Sequence, residues 1–485
     1  MTISVCGPMG DSMFRKLKLS VNVCIISILL LCMSPFVLAN TEAQYENLTQ
    51  HLQLQYLAEP TAQRAQYLAI LQMGSAAEQL EYIDNIQQSV AAFWHNKQVS
   101  LPFDSMDNTT SLRDKNIALE PSVDDYLGVI NDLRKLMRLS QTQDWPAITL
   151  EGLLRPGDRH PSIKQINQRL WLLGDAYEYL ADEIDYQPAL VQSVKRFQSR
   201  HGLKTDAVIG PKTLFWLNQT PQQRASLLAK SFVEKTVYLS QLPQPYLLIN
   251  IPAFQMVLVD QNQVVIASKV IVGKPYRQTP VMTGQISNIV INPTWTVPRQ
   301  LLRKDILPQV RSNGAYFADR HFDVFDYEGH RVDKTPQQWQ QAATGKFPYR
   351  VVQRPGSGNA LGRYKFHFNN DQSVYLHDTP TPEMFAHVER DISSGCVRIE
   401  KVQQLADWFA NHLVIDKRTW AHLQSNHTQT QWFALSSSLP VHMVYWRAWV
   451  DEQHVAQYRD DIYQLTPAES MKLLSHKAIN NDIVQ

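Results

Sequence analysis

The sequence predicts an α+β multidomain chain: a mostly helical N-terminal scaffold and a three-helix module, followed by a β-rich domain. Three observations predict it. The length of 485 residues corresponds to about three domains. Residues 40 to about 150 are rich in Gln and Ala, poor in Gly, and carry apolar residues at helical spacing. From Tyr246 the texture changes to short β-branched runs with turn residues between them. The composition is globular, with 44% hydrophobic and 19% charged residues, and Gly and Pro together make up only about 9%. The formal net charge of +1 leaves no electrostatic footprint for a nucleic-acid partner.

At the N-terminus Arg15, Lys16 and Lys18 precede the apolar run Val23 to Met33, and small residues lead to Ala39. This is the pattern of a secretory signal, with cleavage expected after Ala39. Apolar character from about Val21 to Ala39 is nearly long enough to span a bilayer, so an uncleaved anchor is the alternative. Removal of residues 1–39 takes away Cys6, Cys24 and Cys32 and leaves Cys396 as the sole cysteine of the mature chain. A lone thiol cannot close an internal disulfide, and an oxidising compartment penalises an idle exposed one. Cys396 is therefore either buried and inert or put to use.

The scaffold is expected over 40–152. Its stripes include Leu80, Ile83 and Ile86, and later Leu127, Ile130, Leu133, Leu136 and Met137. Asn108-Thr109-Thr110 falls in an expected surface loop, and no catalytic constellation stands out here. Over 153–220 a compact module follows. Ile163, Ile166, Leu170 and Leu173 form one stripe closed by Gly174; Leu190, Val191, Val194 and Phe197 form a second. Ile209-Gly210-Pro211-Lys212-Thr213-Leu214 opens a third helix, so the spacing predicts three short helices with glycine stops. The words Arg155-Pro156-Gly157, Val194 to Phe197-Gln198, Gly202-Leu203 and Ile209-Gly210-Pro211 resemble the peptidoglycan-binding type 1 module. The stretch Asp175 to Gln187 is longer than the usual linker of that module. A spacer built on the same frame is the alternative.

Residues 221–244 read as a polar, helical connector. The β-rich domain is expected over 245–420, as a sandwich or barrel, with a lid-like insert at about 305–350. Residues 421–485, with two further strand-like runs, extend it. The chemistry-bearing segment is Tyr375-Leu376-His377, then Ser393-Ser394-Gly395-Cys396-Val397-Arg398. Cys396 follows a glycine in a Ser-rich bend, where a thiol can be exposed and backbone N–H groups can approach an oxyanion. A nearby imidazole can take the thiol proton and return it to a leaving amine. His377 and His387, ten apart, lack the short spacing of metal ligands, and no metal or cofactor is expected.

His377, a fifteen-residue spacer, then Ser-Ser-Gly-Cys-Val-Arg resembles the catalytic signature of the L,D-transpeptidases, the YkuD-type family. Ile249-Asn250-Ile251-Pro252, Val272-Gly273-Lys274-Pro275, Ile291 to Trp295 and Asn359 to Gly362 fit the same frame. Ser394 stands where many members carry a second His. The order of parts resembles the large periplasmic murein L,D-transpeptidases, with a helical scaffold, a peptidoglycan-binding module and a capped catalytic domain. The resemblance implies Cys396 as nucleophile, His377 as general base and then acid, and the Gly395–Cys396 backbone as the oxyanion hole. It implies attack on a tetrapeptide stem, release of D-Ala, and a 3→3 diaminopimelate cross-link in peptidoglycan. Arg398, Tyr375, Trp295 and Ser394 are the expected substrate contacts; a structural ion pair for Arg398 and core packing for the two aromatics are the alternatives. Carbapenem β-lactams are implied as covalent inhibitors. A cysteine-dependent wall hydrolase and a non-enzymatic wall-binding scaffold remain the competing functions.

Overall fold

The computed structural model describes residues 45–107 and 109–465. The expected signal, with Cys6, Cys24 and Cys32, lies outside the described residues, as do Asn108 and residues 466–485. The chain divides into two compact units: residues up to Thr142 with Pro221–Val237, and Gln143–Thr220 with the residues from Tyr238 onward.

The first unit is helical, with helices at Ala62–Met73, Ala76–His95, Leu112–Ala118 and Tyr126–Thr142, joined by most of Pro221–Leu239. Thr61, Ser75 and Ser111 cap three of them by accepting backbone N–H bonds in the first turn. The segment read as a connector instead packs as a member of this unit. Ala225, Leu228, Ala229, Phe232 and Val233 are buried at helical spacing, and Phe232 meets Trp94 and Tyr126 edge-on or tilted. Lys235 closes an ion pair with Asp125 at 2.7 Å. Leu80 and Leu127, placed on apolar stripes above, are exposed; in Tyr126–Thr142 the inward face is Tyr126, Val129, Ile130, Leu133 and Leu136. No described helix is long and apolar enough to cross a membrane.

The second unit begins with the three-helix module, Ser162–Leu173, Pro188–Arg200 and Pro211–Asn218. Ile163, Ile166, Leu170, Leu190, Val194 and Phe197 form its core, and Gly174 ends the first helix in the left-handed conformation. Gln198 is structural: its amide nitrogen donates to Val208 O and its carbonyl accepts from Ala207 N. The long linker is laid back along the first helix. Leu180 O accepts from Asn167, Asp182 pairs with Lys164, and Tyr179 stacks on Trp171. Phe197 is fully buried. Phe197→Ala should therefore cost about 3–5 kcal/mol of module stability, read by a denaturant melt of the whole protein.

Among the described residues, fourteen strands follow. They are β1 Tyr246–Asn250, β2 Gln255–Asp260, β3 Gln263–Gly273, β4 Met282–Ile291, β5 Trp295–Thr296, β6 Phe322–Phe325 and β7 Arg350–Gln353. After them come β8 Tyr364–His367, β9 Leu376–His377, β10 Asp391–Ser393, β11 Val397–Ile399, β12 Gln431–Val444, β13 Ala448–Val450 and β14 Ala456–Tyr458. Nine of these form one sheet in the order β10-β3-β11-β9-β8-β4-β12-β1-β2, and β2 also pairs with β3, so the sheet closes on itself. Alternation sends Ile249, Met256, Ile289, Phe366, Leu376, Val397 and Ile399 to one face, where they pack with Leu405 and Phe409 of the helix Val402–His412. β12 runs between β4 and β1, so the C-terminal extension is part of the central sheet. β5, β6 and β7 form a separate three-stranded sheet. With the helices between them they enclose a second core of Val297, Leu302, Ile306, Phe317, Phe322, Trp339 and Val351. The insert is thus an independently packed cap that begins near Trp295 and ends near Gln353, with 305–350 inside it.

The module docks on the last hairpin. Trp216 Nε1 donates to Asp460, Arg459 donates to Arg200 O, and the His201 and Tyr458 rings stack. A cavity of about 340 Å³ lies along this seam, beside His387 and Glu389 and away from Cys396. Its charges are answered within the protein: Lys212 pairs with Glu389, and Arg390 donates to the carbonyls of Val270 and Phe254.

Candidate active site

Three adjacent strands carry the site on the face opposite the main core. β9 and β11 run parallel with Leu376 opposite Val397 and His377 opposite Arg398. β8 runs antiparallel to β9 with Lys365 opposite His377. Because Phe366, Leu376, Val397 and Ile399 turn into the core, Lys365, His377 and Arg398 share the outer face. Cys396 stands one residue before β11 and beside Tyr375, whose carbonyl accepts from Val397 N. The strand pairing therefore brings together Cys396, His377, Tyr375 and Arg398.

His377 is buried. Its Nδ1 meets the Asp378 carbonyl, an acceptor only, so Nδ1 carries the proton and Nε2 keeps a lone pair. Burial first, then the positive charge of Arg398, holds the imidazole down to about 3, and it is neutral at any ordinary pH. Burial pushes the Cys396 thiol up; Tyr375, through its backbone and side chain, and then Lys365 and Arg398 pull it the other way. The thiol is half-buried and is the free cysteine of the described chain.

Gly395 has φ of +116°, a region that favours glycine. Its expected role needs correcting: its N–H donates to Ser393 Oγ at 3.1 Å, and its carbonyl accepts from Thr279 Oγ1 at 2.8 Å. The glycine shapes the bend, and its own N–H is already spent. Gly273 explains itself by proximity, since a Cβ there would fall 2.1 Å from Arg277 O. Ser394 is exposed, and its Oγ accepts from Arg277 at 3.0 Å; Arg277 is in turn held by Asp305 of the cap at 2.6 Å.

Of the two alternatives for Trp295, packing is the one seen. Its ring packs on Phe322 of the cap, and it neighbours Tyr375, whose hydroxyl it draws downward. Among the described residues Arg398 has no ion-pair partner; its Nε is buried without a hydrogen-bond partner there, and the charge drawing on the guanidinium is Cys396. His387 is exposed and lines the seam cavity, apart from His377. Lys365 and the Asp305–Arg277–Ser394 chain were missed in the sequence. Lys365 was legible, since it sits between the core residues Tyr364 and Phe366. Arg277 was not, because 117 positions separate it from Ser394.

Residues 244–421 match the L,D-transpeptidase catalytic domain (YkuD), and residues 159–217 match the family described as "Putative peptidoglycan binding domain". A "Putative L,D-transpeptidase" of Haemophilus influenzae is 34% identical over 216 residues, which are 44% of this chain and 43% of that protein. The chain thus matches less than half the length of that relative. Among solved structures, an L,D-transpeptidase of Stackebrandtia nassauensis is 13% identical, with a TM-score of 0.23 over 61% of this chain and 96% of its own. One from Mycobacterium smegmatis is 12% identical, with a TM-score of 0.20 over 41% of this chain and 57% of its own. Likenesses this slight carry no argument. The matches along the sequence are enough: residues 244–421 of this chain belong to the L,D-transpeptidase catalytic-domain family, and the module before them belongs to the peptidoglycan-binding family.

Proposed function

We propose that the protein forms 3→3 diaminopimelate cross-links in peptidoglycan through a thioester on Cys396. The observation that carries this reading is the β9–β11 register, which sets His377 opposite Arg398 and leaves Cys396, next to Tyr375, at the start of the neighbouring strand. The Cys396 sulfur attacks the carbonyl that joins the L centre of diaminopimelate to the terminal D-Ala of a tetrapeptide stem. His377 Nε2 takes the thiol proton. The tetrahedral oxyanion is received by the Cys396 N–H, since the Gly395 N–H is engaged by Ser393. Collapse breaks the C–N bond, His377 returns its proton to the D-Ala amine, and a thioester remains. The side-chain amine of diaminopimelate on a second stem then attacks, His377 takes its proton, and sulfur leaves.

The partnerless Nε of Arg398 supports a role in holding a stem carboxylate, which a guanidinium fork suits. The cap supports exclusion of water from the thioester. It reaches the site through Trp295 to Tyr375 and through Asp305 and Arg277 to Ser394. For the module, glycan binding is favoured by its exposed aromatic stack of Trp171 and Tyr179. Periplasmic export by the N-terminal segment and acylation by carbapenems belong to the same reading.

Purified protein incubated with tetrapeptide-rich sacculi, followed by mass spectrometry of the released muropeptides, tests it. The expected result is 3→3 dimers with release of D-Ala. Tripeptides without dimers would identify a hydrolase instead.

A further inference from the structure

We propose that Lys365 is the counter-charge of the Cys396 thiolate whenever it forms, acting through Tyr375, and that His377 carries the proton only in passing. The inference rests on the thioester reading above and deepens it. Lys365 lies opposite His377 across the β8–β9 pair. Its Nζ sits 4.2 Å from the centroid of the Tyr375 ring and 5.9 Å from that of Trp432. Tyr375 in turn lies beside Cys396, its carbonyl accepting from Val397 N, and it pulls the thiol downward. A cation held on the face of a phenol is attracted to the ring and polarises it, which makes the hydroxyl a better donor to a thiolate.

An ammonium withdrawn from water needs a partner. Burial lowers Lys365 below the usual lysine range, and the one charge that draws on it is Cys396. The neighbouring groups offer no substitute. His367, on the same strand, is held down by burial and by Lys365 itself. Arg398, the neighbour on β11, is a second cation without a carboxylate. The Asp378 carboxylate accepts from Arg363 N and Thr379 N, and Asp305 is taken by Arg277. The outer face therefore offers two cations and one ionisable sulfur. A long-lived imidazolium at His377 would add a third positive charge, against burial, Arg398 and Lys365 together. Burial of the sulfur works against the thiolate, and Lys365 is one of the charges that offset it. Lys365 is a positioning residue: it touches Tyr375 and acts on the nucleophile through it.

The test is the pH dependence of alkylation at Cys396. Full-length folded protein is treated with iodoacetamide, and the modified Cys396 peptide is quantified by mass spectrometry. In Lys365→Met the midpoint should rise by at least about one pH unit, so that alkylation at neutral pH falls about tenfold. Lys365→Arg keeps the charge and should stay near wild type. Lys365→Gln is a second neutral variant should the Met form fold poorly, and a thermal melt reports folding of each. His377→Gln should move the midpoint less than Lys365→Met does, although it stops cross-linking. An unchanged midpoint in a folded neutral variant, or a larger rise in His377→Gln than in Lys365→Met, would overturn the proposal. Alkylation needs no peptidoglycan, so its failure leaves the muropeptide result standing. A shifted midpoint in a protein that forms no cross-links would count against the transpeptidase reading alone.

Discussion

Cys396→Ala should lose all cross-link formation while melting close to wild type. Two properties of the site demand both halves of that outcome. The sulfur is the only thiol of the described chain, and it stands next to the strand that pairs with the one carrying the neutral imidazole. The surrounding bend is held by groups other than the sulfur: Ser393 Oγ donates to Cys396 O, and Thr279 Oγ1 donates to Gly395 O. The Ala variant keeps these bonds. Muropeptide mass spectrometry reads the activity, and turnover surviving in a folded Ala variant would remove the mechanism. Inhibition should follow the same sulfur. A carbapenem opened by the thiolate should add one equivalent to the wild-type chain and none to Cys396→Ala, by intact-protein mass spectrometry. Burial raises the thiol, so the acylation rate should keep climbing with pH through and beyond the usual thiol range. A rate independent of pH would point to a nucleophile other than the thiolate.

His377→Gln should reduce cross-linking by at least about 10²-fold, the scale of a positioned general base, whereas His387→Ala should change it little. His377 presents an unprotonated Nε2 because Nδ1 is engaged by the Asp378 carbonyl; His387 lies exposed at the module seam. A reversal of the two effects would refute the assignment. The buried imidazole also leaves a signature in stability. In the folded protein it stays neutral down to about 3, whereas the unfolded chain takes up the proton near 6.5. The folded-state pKa is therefore depressed. Its contribution to stability is complete above about pH 6.5 and is lost progressively as pH falls toward 3. Unfolding of the second unit should be less steeply acid-sensitive in His377→Gln, provided that the first unit, with its own buried His51 lowered to about 4, is followed by a separate probe. An unchanged acid slope would mean that His377 is solvated in solution.

Much of the fold was legible because each segment advertises its own period. The stripe Ile163, Ile166 and Leu170 and the closing Gly174 specify a helix and its stop without reference to anything distant. Tyr364-Lys365-Phe366-His367 alternates, and the core takes Tyr364 and Phe366 as that alternation requires. The candidate pair was legible for a different reason: His377 and Cys396 lie within one short stretch whose words are distinctive. Leu127 shows where periodicity fails, since its neighbours Tyr126 and Val129 occupy the buried face one step round the helix. Nothing local distinguished the stripe that faces a neighbour from the one that faces water.

The sequence by itself determined the order of parts, the helical or extended character of each segment, and the nucleophile and base candidates. All of these follow from spacing along the chain. The tertiary structure decided what depends on closure across long separations. It placed Lys365 beside His377 and put Asp305 of the cap on Arg277, and through it on Ser394. It turned the segment after Pro221 into a helix of the first unit and used up the Gly395 N–H on Ser393. It also set the ionisation of the site. An imidazole is held neutral and a thiol is pushed up only when burial removes water from them, and burial belongs to the packed sheet and to no single stretch of sequence.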